Sequence, residues 1–155
     1  MMRACELHSL RRQEVMFKNS TGDSRNLFEF DTPNNTLRSS WEGRVTEEAL
    51  LVSYSAGQRY AASHPPYRSI LDFSSVTSFD VPTEALRTLG KRPPPSAAQM
   101  MFVIVAPGDL VYGLSRMFAV LGEETRPNLR VVRTMQEAYD LLEIDSPQFS
   151  PINID

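Results

Sequence analysis

This chain has little of what builds disulfide scaffolds, metal centres or nucleophilic active sites. It holds one cysteine, Cys5, so no internal disulfide framework can form. With no CxxC partner, Cys5 reads as an inert thiol near a terminus. The two histidines, His8 and His64, have no recognisable nucleophile or orienting partner beside them. No G-x-S-x-G motif and no glycine-rich phosphate loop occurs. Pro107-Gly108-Asp109 offers a single glycine, and its carboxylate would repel an anion. No catalytic residue, cofactor or metal site is therefore assigned, and an enzyme is not the expected reading. Positive charge is not in excess either. The formal net charge is -3, and Arg11-Arg12 and Lys91-Arg92 are isolated pairs, so no nucleic-acid partner is expected. No apolar run approaches the roughly 18 residues that span a bilayer, and the start lacks the apolar core of a secretory signal. A cytoplasmic location without a transmembrane segment follows by default.

What is present is one domain's worth of ordinary globular sequence. The 155 residues are 41% hydrophobic and 23% charged, enough to bury a core without staples. The first 40 residues suggest an antiparallel meander. Glu14–Lys18 and Leu27–Phe30 form short strand candidates, Asn19–Asp23 and Asp31–Asn35 read as turns, and Thr36–Val45 is extended. Thr46 has the character of a helix cap, with Glu47 and Glu48 in the first turn, where negative charge suits the free amides. Leu50, Tyr54, Gly57 and Ala61 then recur at helical spacing until His64-Pro65-Pro66. Gly57 inside that helix costs about 1 kcal/mol relative to alanine, so close packing is expected there.

Ser69–Phe73 reads as a strand and Ser74–Asp80 as a polar crossing. Pro82 opens a second helix through Leu86 and Leu89, stopped at Gly90, and Pro93-Pro94-Pro95 is a stiff connector. Met100–Ala106 is the clearest strand. Met101, Val103 and Val105 point one way, Phe102 and Ile104 the other, so both faces need cover. After Pro107-Gly108-Asp109 a third helix carries a stripe of Leu110, Leu114, Met117 and Leu121, widened by Val111 and Phe118. Gly113 beside it suggests a close backbone approach. Leu129–Val132 is a last strand. Thr134 and Glu137 have capping-box spacing, with Met135, Ala138, Leu141 and Leu142 facing inward. Residues 146–155 form a tail. This alternation of strand and helix favours a largely parallel sheet with right-handed crossovers and an antiparallel edge.

From about Trp41 to Ile144 the chain resembles a STAS-type domain, the fold of bacterial anti-sigma-factor antagonists. It resembles the small SpoIIAA-like proteins of uncertain function more closely still. The resemblance rests on Ile70-Leu71-Asp72-Phe73-Ser74-Ser75-Val76-Thr77-Ser78-Phe79-Asp80, the Ala106-Pro107-Gly108-Asp109 turn, Gly113-Leu114-Ser115-Arg116-Met117-Phe118 and Val131-Val132-Arg133-Thr134. It implies an α/β domain with a small mostly parallel sheet and helices packed mainly on one face. It also implies a regulatory, protein-binding role. In the antagonists an acidic residue and a phosphorylated serine precede a helix. Asp80 matches the acidic position, but Val81 and Pro82 follow. Ser74, Ser75, Thr77 and Ser78 are displaced, so the usual phospho-switch is not expected.

The candidate functional edge comprises Asp72, Ser78, Asp80, Asp109 and Arg116. In an open α/β sheet, ligands gather at the carboxyl ends of the strands, and three carboxylates suit a divalent cation. The simpler reading has Asp80 and Asp109 capping helices, Asp72 bracing a turn and Arg116 at the surface. Tyr54, Tyr60 and Tyr67 suggest an aromatic ligand wall, but the simpler reading has Tyr54 as core or rim and Tyr60 and Tyr67 as cover for the prolines, with Trp41 a core edge or a subunit contact. Two function classes remain. One is an interaction module acting as a homodimer or with a protein partner, because the sheet face away from the helices needs the N-terminal meander or another subunit. The other is a small-molecule or lipid-binding domain with a pocket between the sheet and the helix that starts at Asp109.

Overall fold

A computed structural model describes residues 20–21 and 24–154. The strand candidate Glu14–Lys18, Cys5 and His8 lie outside the described residues. The elements are β1 (Ser20–Thr21), β2 (Ser24–Asp31), β3 (Thr36–Thr46), α1 (Glu47–Ala62), β4 (Arg68–Asp80), α2 (Thr83–Lys91), β5 (Phe102–Val105), α3 (Asp109–Leu121), β6 (Leu129–Val132), α4 (Met135–Leu142) and β7 (Ser150–Pro151). The seven strands form one sheet in the order β1-β2-β3-β4-β5-β6, with β7 beside β2. β3, β4, β5 and β6 are mutually parallel, and β1, β2 and β7 make the antiparallel edge. The expected α/β alternation is thus observed.

Local chemistry explains the boundaries. Asn35 turns β2 into β3 with φ 48°, a left-handed conformation that asparagine tolerates. Thr46 Oγ1 accepts from the Ala49 amide at 3.2 Å, the expected cap of α1. Thr134 Oγ1 accepts from the Glu137 amide at 3.2 Å while its hydroxyl donates to Glu137 Oε1 at 3.1 Å. Gly57 is buried in α1 because Pro95 packs on it. An added Cβ would lie 3.2 Å from Pro95 Cγ.

Three helices cover one face. Ala49 of α1, Leu86 of α2 and Phe118 of α3 pack with Trp41, Phe73 and Ile104. α4 covers the other face, where Ala138 and Leu142 meet Ile70, Val103, Val105 and Val132. Both faces of β5 are therefore buried by this chain's own helices. The N-terminal strands do not cover the sheet; they extend it. On the face away from α1–α3 it is α4 that covers β5.

Several sequence expectations are corrected. Ser74–Asp80 is not a crossing but the second half of β4, paired with β3 from Glu42↔Ser75 to Thr46↔Asp80. The regular ladder of β5 is four residues, not seven. Its bonding continues through Ser69 N to Met101 O at 3.0 Å and Ala106 N to Val132 O at 2.9 Å. α2 continues through Gly90 to Lys91. On α3 the buried line runs through Ser115 and Phe118, and Leu110 is 66% exposed. Val111, Leu114, Met117 and Phe118 of the predicted stripe do pack against the core, joined by Ser115, and Leu110 does not. Nothing approaches Gly113, whereas a Cβ on Gly122 would lie 3.3 Å from Gly90 O. Leu141 on α4 is 41% exposed.

The C-terminal segment is also more than a tail. β7 pairs with Glu29 and Phe30, and Ile154 is buried with Phe28, Leu37 and Tyr67. It is anchored by Asp31, a fully buried carboxylate. Asp31 accepts from the Asn34 amide (3.2 Å), Asn34 Nδ2 (2.7 Å) and the Gln148 amide (2.9 Å). Three donors repay the desolvation of that charge.

Candidate functional site

The predicted edge residues fall into two groups. Asp72 ends the stretch of β4 that pairs with β5, opposite Val105. Just beyond it the register with β3 shifts, because one extra β4 residue lies between the pairs Ser40↔Asp72 and Glu42↔Ser75. Asp72 Oδ1 accepts from the Ser74 amide at 2.9 Å and from Ser74 Oγ at 2.5 Å, bracing that bulge. A second shift follows between Gly43 and Arg44 of β3, and Gly43 takes φ 77° there, a conformation glycine adopts freely. Past these bulges β3 and β4 continue as a two-stranded ribbon. β5 stops at Val105, so from Phe73 to Asp80 the outer edge of β4 has no strand beside it among the described residues. Ser74, Ser75, Thr77, Ser78 and Asp80 are exposed, and Val76 and Phe79 pack inward. Asp80 is ion-paired with Arg44, whose Nε donates to it at 3.1 Å.

Asp109 and Arg116 form the second group, joined through Tyr112. Arg133 Nη1 donates to Asp109 Oδ1 at 2.7 Å, and its guanidinium lies 3.8 Å from the centroid of the Tyr112 ring. Arg116 Nη1 donates to the Tyr112 hydroxyl at 3.3 Å. Neither aspartate caps a helix, contrary to expectation. Pro82 and Gly108 stand at the N-caps of α2 and α3, without a side-chain bond. The carboxylates are taken by arginines or serine. Among the described residues no group of three or more His, Cys, Asp or Glu is placed to hold a metal.

A second feature was not legible in the sequence. Beneath α1, on the three-helix face of the sheet, lies a partly open cavity of about 150 Å³. Its walls are Phe28, Leu37 and Trp41 from β2 and β3, Leu50 and Tyr54 from α1, and Ile70 and Leu71 from β4, among others. The segment from Pro94 to Met101 closes one side. It is pinned by side chains: the Tyr54 hydroxyl donates to Pro93 O at 2.6 Å, Ser96 Oγ donates to Tyr67 O at 3.0 Å, and Asn128 Nδ2 donates to Gln99 O at 2.6 Å. From α3, the helix that starts at Asp109, only Phe118 reaches this wall, and a smaller space of about 50 Å³ lies between Leu114, Ser115 and Phe118 of that helix and Leu71, Phe73 and Ile104 of the sheet.

The polar groups of this wall are unusual. Trp41 and Tyr67 are each 2% exposed, and Trp41 Nε1 and the Tyr67 hydroxyl, both enclosed behind the wall rather than open to the cavity, find no hydrogen-bond partner among the described residues. A buried group left so costs about 1–3 kcal/mol. Burial, followed by the nearby Tyr60, pushes the Tyr67 hydroxyl up to about 12, so it stays protonated. Arg126, 5% exposed, joins the wall. Its Nη1 donates to Arg92 O at 2.8 Å and Gly90 O at 3.2 Å, fixing the end of α2, and no ion pair among the described residues involves it. Burial lowers its pKa, slightly opposed by Tyr54. Among the described residues no aspartate or glutamate lines the cavity. Tyr54 and Tyr67 of the aromatic wall considered in the sequence do line the cavity, whereas Tyr60 does not, and Trp41 and Arg126 carried no mark of this place.

Among solved structures, the chain is similar to an uncharacterized protein of the DUF3478 family, with a SpoIIAA-like fold, from Shewanella loihica PV-4. Identity is 15% and the TM-score 0.52, over 77% of this chain and 93% of that one. The fold here is thus SpoIIAA-like, as the sequence resemblance implied. No protein-family model and no curated protein matches the sequence. No helix among the described residues is long and apolar enough to cross a membrane.

Proposed function

We propose that this chain is a non-enzymatic regulatory module of the STAS type that works by protein contact, without the phospho-switch. The observation that carries this reading is the open edge of the β3–β4 ribbon. From Ser74 to Asp80 its side chains are mostly small hydroxyls, and neither lysine nor proline interrupts it before Pro82. Natural sheets usually block such edges with charge, proline or a covering element. An extended segment of a partner protein, added beside β4, gives the free backbone groups partners and leaves alternate side chains for recognition. Asp72 at the bulge and Ser78 and Asp80 on the ribbon belong to this surface, and Asp109 at the start of α3 and Arg116 in its middle form a charged patch around Tyr112. The absence of the switch is supported by Val81. It directly follows Asp80 and packs against the core, where the pattern requires a phosphorylated hydroxyl.

The test pairs light scattering at several concentrations with affinity capture from the native host, using the wild type and the double variant Ser75→Lys/Ser78→Lys. Both serines are exposed, so circular dichroism should be unchanged. The reading expects a captured partner that the double variant loses. A partner retained by the variant refutes the edge. A wild-type dimer that becomes monomeric in the variant replaces the partner with a second copy of this chain.

A further inference from the structure

The cavity beneath α1 stands apart from the ribbon and asks for its own occupant. Close-packed interiors keep few spaces larger than a water molecule, and this one measures about 150 Å³. Its walls are mainly apolar, and an apolar space of that volume holds a molecule the size of benzene. The hydrogen-bonding side chains around it are largely engaged within the protein. Ser39 Oγ donates to Asn26 Oδ1 at 2.8 Å, and Ser53 Oγ accepts from Asn26 Nδ2 at 2.7 Å. Ser96 Oγ accepts from the Tyr67 amide at 3.2 Å and donates to Tyr67 O. Tyr54, Asn128 and Arg126 are tied to backbone carbonyls. The enclosed Trp41 Nε1 and Tyr67 hydroxyl offer nothing to the space. A charged occupant would give up its water there for few partners.

We infer that the cavity binds a small uncharged molecule of about benzene's volume, held by apolar contact and not by hydrogen bonds. Its body packs against Leu37, Leu50, Leu71 and Phe118, which line the space from the sheet and from two helices. The stretch from Pro94 to Met100 that closes one side belongs to no helix or strand. Admission of a ligand there breaks a few side-chain bonds and no sheet pairing. This site neither requires nor excludes a partner at the ribbon.

Trp41 lines the cavity and is the only tryptophan of the chain, so its emission reports occupancy. Full-length protein is titrated with benzene, and in parallel with benzoate and benzylamine, which carry the same ring on a charged group. Benzene should give a saturable emission change with Kd of about 1 mM or tighter, and should raise the unfolding midpoint. Each charged relative should bind about tenfold more weakly or worse. Ser69→Leu and Ala97→Leu add bulk from the sheet and from the connecting segment, and each should abolish benzene binding while circular dichroism shows the variant folded. No saturable response to benzene, or benzene affinity unchanged in a folded bulky variant, would overturn the assignment. So would a charged relative that binds as tightly as benzene, and benzoate binding more tightly would give the space to an anion beside Arg126.

Discussion

The two faces of the sheet solve the same burial problem differently. Under α4 the contacts are small aliphatic groups, with Val103, Val105, Ala138 and Leu142 all essentially inaccessible. The polar groups on that side are paired apart from one buried donor, Arg38 Nε. Arg38 donates to Glu29 at 3.0 Å and to the Tyr139 hydroxyl at 2.8 Å, and its guanidinium stacks 4.0 Å from the centre of the Phe149 ring. Under α1–α3 the side chains are larger and include most of the buried aromatics, yet they enclose a cavity and leave two buried donors unmet. Close packing with satisfied polar atoms is what stability alone would select. The face that departs from it is the one with room for something else.

The sharpest way to break this contrast is to truncate one leucine on each face. Leu142→Ala should cost about 3 kcal/mol in urea unfolding, because its site under α4 has no slack. Leu50→Ala, which borders existing space, should cost about 1 kcal/mol. Equal losses would mean that the two faces are packed alike. Next in size, Arg38→Met should destabilise by about 3 kcal/mol, since it leaves the buried Glu29 carboxylate without its cation. Restoration of most of that loss by adding Glu29→Gln would confirm that the unpaired charge is the cause.

Alkaline unfolding then sharpens the other side. The Tyr67 hydroxyl is raised from 10.0 to about 12 in the folded protein. Its contribution is complete below pH 10 and is lost as pH climbs toward 12, because only the unfolded chain ionises over that range. Wild-type stability should fall there by up to about 2–3 kcal/mol, and Tyr67→Phe should remove that part of the slope. The smallest effect expected is that of Gly57→Ala. The helix gains about 1 kcal/mol, offset by the displacement of Pro95, so the unfolding midpoint should hardly move. Hydrogen exchange in the segment after Pro95 should nevertheless rise.

The fold was legible because its signals are local. Thr46 and Thr134 announce helix starts, His64-Pro65-Pro66 ends α1, and the doubly apolar run around Val103 reads as a covered strand. The second half of β4 was missed because its side chains are hydroxyls with few apolar positions. Such a strand lacks the alternation that marks one half-buried. The α3 stripe was right at Leu114 and Met117, but it included the exposed Leu110 and missed Ser115, a buried position that an apolar pattern skips. The docking of Ile154 and the bonds to Asp31 depend on contacts across the whole chain, and no local pattern encodes them. The candidate site was legible only in part. The bracing role of Asp72 followed from its type and place. The cavity depends on how Trp41, Tyr67, Arg126 and a proline-rich segment meet in space, which no spacing along the chain expresses.

Each strand from β1 to β6 lies beside its predecessor in the chain. A growing polypeptide therefore always presents a finished template to the next strand delivered, and loop closure at every step spans little more than one helix. β7 alone breaks this rule, returning from the far end of the chain to β2. It acts as a clasp fastened after the layers have accreted, and the outer margin of β2 should be the last region to gain protection in pulse-labelled refolding.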